Sequence, residues 1–298
     1  ILKFDRLRII QEKIVEYKLA TKRFSATTLF YRFWNKKNQR YDMQDKVLNL
    51  SPTELRSNAS VISVAKQLPK KYPFAKLIAD YWQDNIIIHG LNQSSLYRFQ
   101  ASRQISIFDN PLLDKILDDE RLNEKVSRFL SRYDIGYESI QKEKISFMGQ
   151  TSKDMPVVYY MVHHYENADM KISWINESNG TKHLVSLLAD VALALLKTDC
   201  TVVVDELDSF LHPDIVEDII GQFADQTTNP NSSQIIFSTH HHRILSSLSK
   251  QQIFLSEKNN CGETEVWRLD DEKNVRADEN YYIKYIEGAY RAKPKIVK

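Results

Sequence analysis

The residues best placed to do chemistry lie in one run, Thr201-Val-Val-Val-Asp205-Glu206-Leu-Asp208-Ser-Phe-Leu-His212-Pro213. A short β-branched apolar run ending in two adjacent carboxylates reads as a buried parallel strand whose C-terminal edge delivers acidic groups to a site. That edge is where open α/β sheets bind ligands. In a nucleotide-hydrolysing site Asp205 would hold Mg²⁺ through its water shell, since Mg²⁺ prefers oxygen ligands and keeps several waters. Glu206 would then take a proton from the attacking water. By itself the run also reads as a plain strand entering an acidic turn. Upstream, Ser178, Gly180 and Thr181 open a long apolar helix, where free N–H groups and the helix dipole favour an anion. An ordinary N-cap uses the same residue types. Downstream, Gln234-Ile-Ile-Phe-Ser-Thr239-His240 is an apolar strand that ends on a histidine.

Ser178 precedes Asp205 by 27 residues. In order and spacing the three segments resemble the signature motif, the Walker B strand with its D-loop, and the switch histidine of ABC-type ATPases. The spelling Glu177-Ser178-Asn179-Gly180-Thr181, then Asp205-Glu206-Leu-Asp208 through Leu211-His212-Pro213, then Ser238-Thr239-His240, is similar to the stand-alone SMC-like ATPases of bacterial anti-phage systems, of the abortive-infection, Septu and PARIS kind. The resemblance implies an α/β fold, a P-loop NTPase of ABC/SMC ATPase type. That fold is a parallel sheet with helices plus an antiparallel β-layer, here with a helical insertion. ATP and Mg²⁺ are the implied cofactors. By the same resemblance Ser178, Asn179, Gly180 and Thr181 contact the γ-phosphate held by the opposite subunit. Asp205 is the water-mediated Mg²⁺ ligand, Glu206 the general base, Asp208 the D-loop residue reaching across the dimer, and His240 the switch that senses the γ-phosphate. The implied partners are a second copy or a higher homo-oligomer, an effector protein such as a nuclease from the same operon, and nucleic acid, with no membrane.

A P-loop needs two glycines five apart, the second followed by Lys and Ser or Thr. None of the seven glycines here precedes a lysine, so the sequence contains no Walker A motif. The resembled family places its antiparallel layer after the Walker A helix, so the motif is expected upstream of Ile1, within about 60 to 110 further residues, enough for a βαβ-type unit. The 298 residues, 42% hydrophobic, can bury a sizeable core. A net charge of +2 and a pI near 8.3 argue neither for nor against nucleic acid. Two cysteines, Cys200 and Cys261, give no disulfide framework and no metal-ligand spacing, which points to a reducing compartment. No apolar run approaches the roughly 20 residues of a membrane span, and no signal-peptide pattern is present. The expected location is cytoplasmic.

These groups need elements to hold them. Residues 1–50 alternate as an antiparallel sheet, the antiparallel β part of the ATPase domain, with Lys36, Lys37 and Arg40 in a solvated turn. Residues 51–135 read as the helical insertion, opening at the capping box Ser51-Pro52-Thr53-Glu54 and resuming at Asn110-Pro111 and Arg121. Residues 136–298 read as the C-terminal part of the ATPase domain. Within it, Val157–Tyr165 is a strand that sends His163 and His164 to opposite faces. Leu184, Leu187, Leu188, Val191 and Leu195 mark a helix buried nearly all round. After Pro213 an amphipathic helix should turn Ile215, Ile219, Ile220 and Phe223 inward and Asp214, Glu217 and Asp218 outward, with His212 capping the preceding turn. His240, His241 and His242 leave a strand end in different directions, unlike zinc ligands, which are spaced by several residues. In the tail, Asn259-Asn-Cys-Gly262 marks a hairpin. Gly288-Ala-Tyr-Arg-Ala-Lys-Pro294 is similar to the family's closing element, except that Ile286-Glu287 replace its first Gly-Arg pair and Arg291 is the nearest basic group.

Two function classes follow. One is an ATP-driven sensor or regulator that dimerises around ATP, senses infection and controls a toxic effector. The other is an SMC-like ATPase of DNA repair or recombination, against which the lack of sustained heptads argues. A non-hydrolysing scaffold that completes a site with another chain is a further class. A nuclease of the overcoming-lysogenization-defect type needs an extra domain with acidic clusters, and the 58 residues from 241 to 298 are too few for one.

Overall fold

The computed structural model describes residues 2–4, 8–20, 23–46, 48, 50, 55–65, 73–90, 110–133, 136–145, 156–165, 168–259, 261–273 and 275–292. The chain divides into two compact units, Ile1–Ile86 and Ile87–Lys298.

In the first unit β1 (Leu2–Phe4), β2 (Ile9–Ala20), β3 (Arg23–Asn35) and β4 (Arg40–Asp45) form an antiparallel sheet in chain order. Alternating exposure along β4 shows the two-residue period that gives the sheet one dry face. Lys36 and Lys37 lie in the β3–β4 turn, where Gln39 takes a left-handed φ of 49°. Two helices follow, α1 (Val61–Ala65) and α2 (Pro73–Asp84). The capping box at 51–54 lies outside the described residues; the first described helical turn after it begins at Val61.

The apolar core of this unit is small, built on Phe30, Leu48, Leu50 and Val61. Beside it sits Arg32, 0% exposed. Its guanidinium donates to Glu12 at 2.8 Å and to the carbonyls of Arg56 at 3.0 Å and Ala59 at 2.7 Å. Glu12 also accepts the N–H of Val61 at 2.9 Å, at the start of α1. Burial pushes the Glu12 carboxyl above its ordinary value, while the Arg32 charge and these hydrogen bonds pull it back. One buried ion pair thus ties together two strands, a loop and a helix.

The second unit opens with β5 (Ile86–Ile88), at the border of the two, then α3 (Pro111–Asp118) and α4 (Glu120–Tyr133). Asn110 caps α3 by accepting the Leu113 N–H at 3.1 Å, and Pro111 takes the first helical position. Next come β6 (Tyr137–Lys144), β7 (Val157–Tyr165) and β8 (Ala168–Ser173), an antiparallel sheet in chain order. The alternation α5 (Asn179–Leu196), β9 (Thr201–Val204), α6 (Pro213–Ala224), β10 (Gln234–Phe237) follows. The strands of that segment make a sheet of order β10-β9-β5 in which β10 and β9 are parallel. Almost every side chain of α5 from Leu184 to Leu195 is buried, and α3, α4, β7 and β9 share its core. The hairpin of β11 (Phe254–Lys258) and β12 (Thr264–Arg268) packs with α7 (Tyr281–Ile286) around Ile253, Leu255, Leu269 and Tyr281.

Helix α6 turns the expected apolar face to the core, with Val216 added to it. Val216, Ile219 and Ile220 are its buried residues, while Ile215 and Phe223 are only partly covered. Asp218 is not a free outward carboxylate, for Tyr133 and Arg132 of α4 both donate to it. A second helix lies over that flank. No helix among the described residues is long and apolar enough to cross a membrane.

Replacing Arg32 by Ala would leave Glu12 buried without its counter-ion, so Arg32→Ala should destabilise the first unit by about 3–5 kcal/mol. Urea unfolding measures this, and the double change Arg32→Met with Glu12→Leu should cost far less. Equal losses would show that the pair is not what joins β2, β3 and α1.

Candidate functional site

Strands β9 and β10 pair in parallel register, Thr201 with Gln234 through Val204 with Phe237. The residues that follow each strand therefore emerge side by side. Ser238 closes the gap between them. Its N–H donates to the Val204 carbonyl at 3.0 Å, and its own carbonyl accepts the Leu207 N–H at 2.9 Å. Its hydroxyl accepts the Glu206 N–H at 2.8 Å and donates to the Asp205 carboxylate. Sequence reasoning gave Ser238 no role of its own; a hydroxyl residue at a parallel strand end was the only signal.

Glu206 has φ 51° and Phe210 φ 61°. The left-handed region costs a non-glycine residue roughly 1–2 kcal/mol, and such strain concentrates at functional sites. The Glu206 carboxylate is exposed and accepts from the Ser209 hydroxyl at 3.2 Å. Asp208 turns back into its own chain and accepts the His240 N–H at 3.1 and 3.3 Å. Burial works to raise the Asp208 carboxyl, but hydrogen bonds from the Thr239 side chain and the His240 main chain outweigh it and hold the group below its ordinary value.

His240 is thus fixed by its main chain with its side chain exposed. The two histidines after it go elsewhere. His241 Nε2 lies 3.5 Å from Glu217, which also faces Arg243 at 3.7 Å, anchoring the loop to α6. The ring of His242 stacks on Tyr285 with centroids 5.0 Å apart. His212 caps α6, its Nδ1 accepting the Asp214 N–H at 3.3 Å.

Helix α5 returns through the tight turn at 197–200, where Asp199 takes φ 52°, into β9. This brings the N-terminus of α5 to the end of the sheet where Asp205 and Glu206 emerge. Ser178 is the N-cap, its Oγ accepting the Thr181 N–H at 3.0 Å and lying 2.9 Å from Thr181 Oγ1. Asn179 is exposed beside it. A Cβ on Gly180 would meet only Ser178 Oγ at 3.7 Å and the Phe210 carbonyl at 4.0 Å, ordinary contacts. Internal packing therefore does not demand glycine there, and the bare backbone would let a ligand approach closely. Unpaired N–H groups at a helix start suit phosphate. The exposed oxygen ligands of Asp205 and Glu206 suit a hard cation such as Mg²⁺ held through water.

Two further features were not legible in the chain. His89 holds Asp190 of α5 at 2.9 Å and sets its ring edge-on to His183 at 5.3 Å. His183 in turn faces the ring of Phe210, 76% exposed, at 5.8 Å. Burial, then the neighbouring His89, holds His183 below the ordinary histidine range. In the tail, Arg291 pairs with Glu272 at 2.9 Å and lies over the Trp267 ring at 4.4 Å, so the nearest basic group of the closing element is taken up locally.

Residues 10–246 match the model of a family described as "AAA domain, putative AbiEii toxin, Type IV TA system". No curated protein matches the chain. A solved structure described under "Structural biochemistry of ATP-driven dimerization and DNA stimulated activation of SMC ATPases" is 15% identical with a TM-score of 0.38, covering 62% of this chain and 99% of its own. The Smc head domain with a coiled coil and joint from Pyrococcus yayanosii is 13% identical with a TM-score of 0.38, covering 76% of this chain and 36% of its own. The chain therefore spans about a third of that second protein.

Ser238→Ala removes the hydroxyl shared by Asp205 and Glu206, and should cost about 1 kcal/mol in urea unfolding. A change within error would mean that solvent replaces the hydroxyl. His183 should titrate below ~6.5 by NMR. The unfolded chain then binds that proton more readily, so this contribution to stability is complete above ~6.5 and is lost as pH falls below it. A His183 midpoint above the ordinary value would contradict its burial against His89 and Phe210.

Proposed function

The chain belongs to the AAA domain family described above, and from that premise we propose that it is the ATP-hydrolysing subunit of a bacterial anti-phage defence system. It dimerises around ATP in the cytoplasm and senses infection or controls an associated toxic effector, such as a nuclease. The observation that carries this reading is the common end of β9 and β10, where Asp205, Glu206 and His240 emerge together beside the α5 N-terminus.

Asp205 would hold Mg²⁺ through water, and the bound cation would neutralise charge on the phosphates. Glu206, oriented by Ser209 and by Ser238 through its main chain, accepts the proton of the attacking water. Ser178, Asn179, Gly180 and Thr181 present helix N–H groups and hydroxyls to a γ-phosphate bound by the opposite subunit. His240, its main chain locked, swings only its imidazole toward that phosphate. Asp208 reaches across the interface by giving up the His240 N–H, which couples dimer formation to the switch. These 298 residues spell no Gly-x-x-x-x-Gly-Lys-Ser/Thr loop, so this reading requires a phosphate-cradling loop supplied by another segment. Strand β10 is an edge strand among the described residues, with Ile236 57% exposed. Parallel strands are normally covered, so this edge supports pairing with a strand that carries the loop.

In the complete protein Glu206→Gln should bind ATP, keep an ATP-stabilised dimer and lose about 100-fold or more in turnover. Ser178→Arg should abolish the ATP-dependent dimer by blocking the phosphate. His240→Ala should slow hydrolysis while leaving nucleotide affinity nearly unchanged. ATP turnover measured beside dimer mass tests all three. Wild-type turnover in Glu206→Gln would return the carboxylates to an acidic turn.

A further inference from the structure

The turn at 178–181 is exposed and short, and a phosphate contact demands that it be held in one place. What holds it is a pair of buried polar side chains behind it. His163 of β7 brings Nε2 to 3.3 Å from Oε1 of Glu177, and the two side chains are only 6% and 5% exposed. Glu177 immediately precedes the Ser178 N-cap. Its N–H donates to the Trp174 carbonyl at 3.3 Å, closing the turn before it. His163 is itself fixed on both sides, paired across the sheet with Tyr137 and Met170 and stacked on Tyr165 with centroids 6.1 Å apart.

A carboxylate on a surface loop gains hydration by turning outward. Here Glu177 turns inward, which is tolerated only because an imidazole meets it. In so dry a place the contact is electrostatically strong and directional. The exposed neighbours Ser178 and Asn179 lack such an anchor of their own. We propose that His163 and Glu177 are positioning residues for the nucleotide-contacting turn, fixing the start of α5 to the β6–β8 sheet so that Ser178 and the first helix N–H groups stand ready for phosphate. This rests on reading that turn as a γ-phosphate contact.

The test compares the full-length protein with His163→Phe, His163→Gln and Glu177→Ala. Phe keeps the ring stack on Tyr165 and removes the donor. Gln restores an amide N–H near the place of Nε2. Ala removes the carboxylate without leaving a buried charge, so it stays informative if His163→Phe unfolds. Without nucleotide, hydrogen exchange of the Thr181 and Lys182 amides, both bonded to Ser178, should speed up about tenfold or more in His163→Phe and Glu177→Ala, with His163→Gln near wild type and exchange in β9 unchanged. With ATP, the same two variants should need about tenfold more nucleotide for dimer formation and half-maximal turnover, while turnover at saturation stays close to wild type. Unchanged exchange at Thr181 and Lys182 in Glu177→Ala overturns the proposal, and so does a His163→Gln that exchanges as fast as His163→Phe. If exchange responds as expected but ATP dimerisation is insensitive to both these variants and Ser178→Arg, the anchor is real and the phosphate reading of the turn fails.

Discussion

The site depends on a boundary condition at the end of a parallel strand pair. When β9 and β10 stop, their last backbone groups and two carboxylates emerge into the same small space, and buried ladder groups must still find partners. Ser238 supplies them, pairing with both sides of the ladder through its main chain and with Asp205 and Glu206 through its hydroxyl. The adjacent acids are held apart and oriented. That one arrangement lets Glu206 occupy a left-handed backbone conformation and sends the following turn back toward α5.

Around this point the loops are held by specific polar contacts, while the layers behind them are held by apolar packing. Asp208 grips the main chain at His240, and Glu177 is gripped by His163. Each contact joins a segment with a chemically suited side chain to an element buried in the core of α3, α4, α5, β7 and β9. The core is rigid because it is closely packed. The contact of Asp208 at its rim is exposed and worth little by itself, whereas that of Glu177 with His163 is closed off from water.

The first unit solves a different problem. Among its described residues the apolar cluster rests on Phe30, Leu48, Leu50 and Val61, and a fully buried arginine adds polar ties between the strands and α1. Arg32 and Glu12 satisfy three strand, loop and helix groups at once. Such a pair is costly to desolvate and unforgiving to break, which favours a unique arrangement over maximum stability.

Much of this was written in local pattern. The two-residue period of β2 to β4, the caps Asn110-Pro111 and Ser178, the all-round apolar face of α5 and the Asn259 to Gly262 hairpin each follow from residue type within a few positions, because their causes are local. The candidate chemistry rested on more than local pattern: Asp205, Glu206, Ser178 and His240 were chosen by the resemblance of their three segments, in order and spacing, to the motifs of a known family, and the structure brings them to one end of the sheet. What the sequence left open was every contact between segments far apart in the chain. Nothing local marks Ser238 as the bridge between Asp205 and Glu206, Glu12 as the partner of Arg32, His163 as the partner of Glu177, or Asp218 as the acceptor of Tyr133. In α6 the apolar face lies where its period put it, but Asp218 is covered by a residue of α4 that lies 85 positions earlier in the chain. Hydrophobic period decides which elements form, but a buried polar group takes whatever partner the packed layers bring within 3 Å or so, and only the tertiary structure decides which one that is.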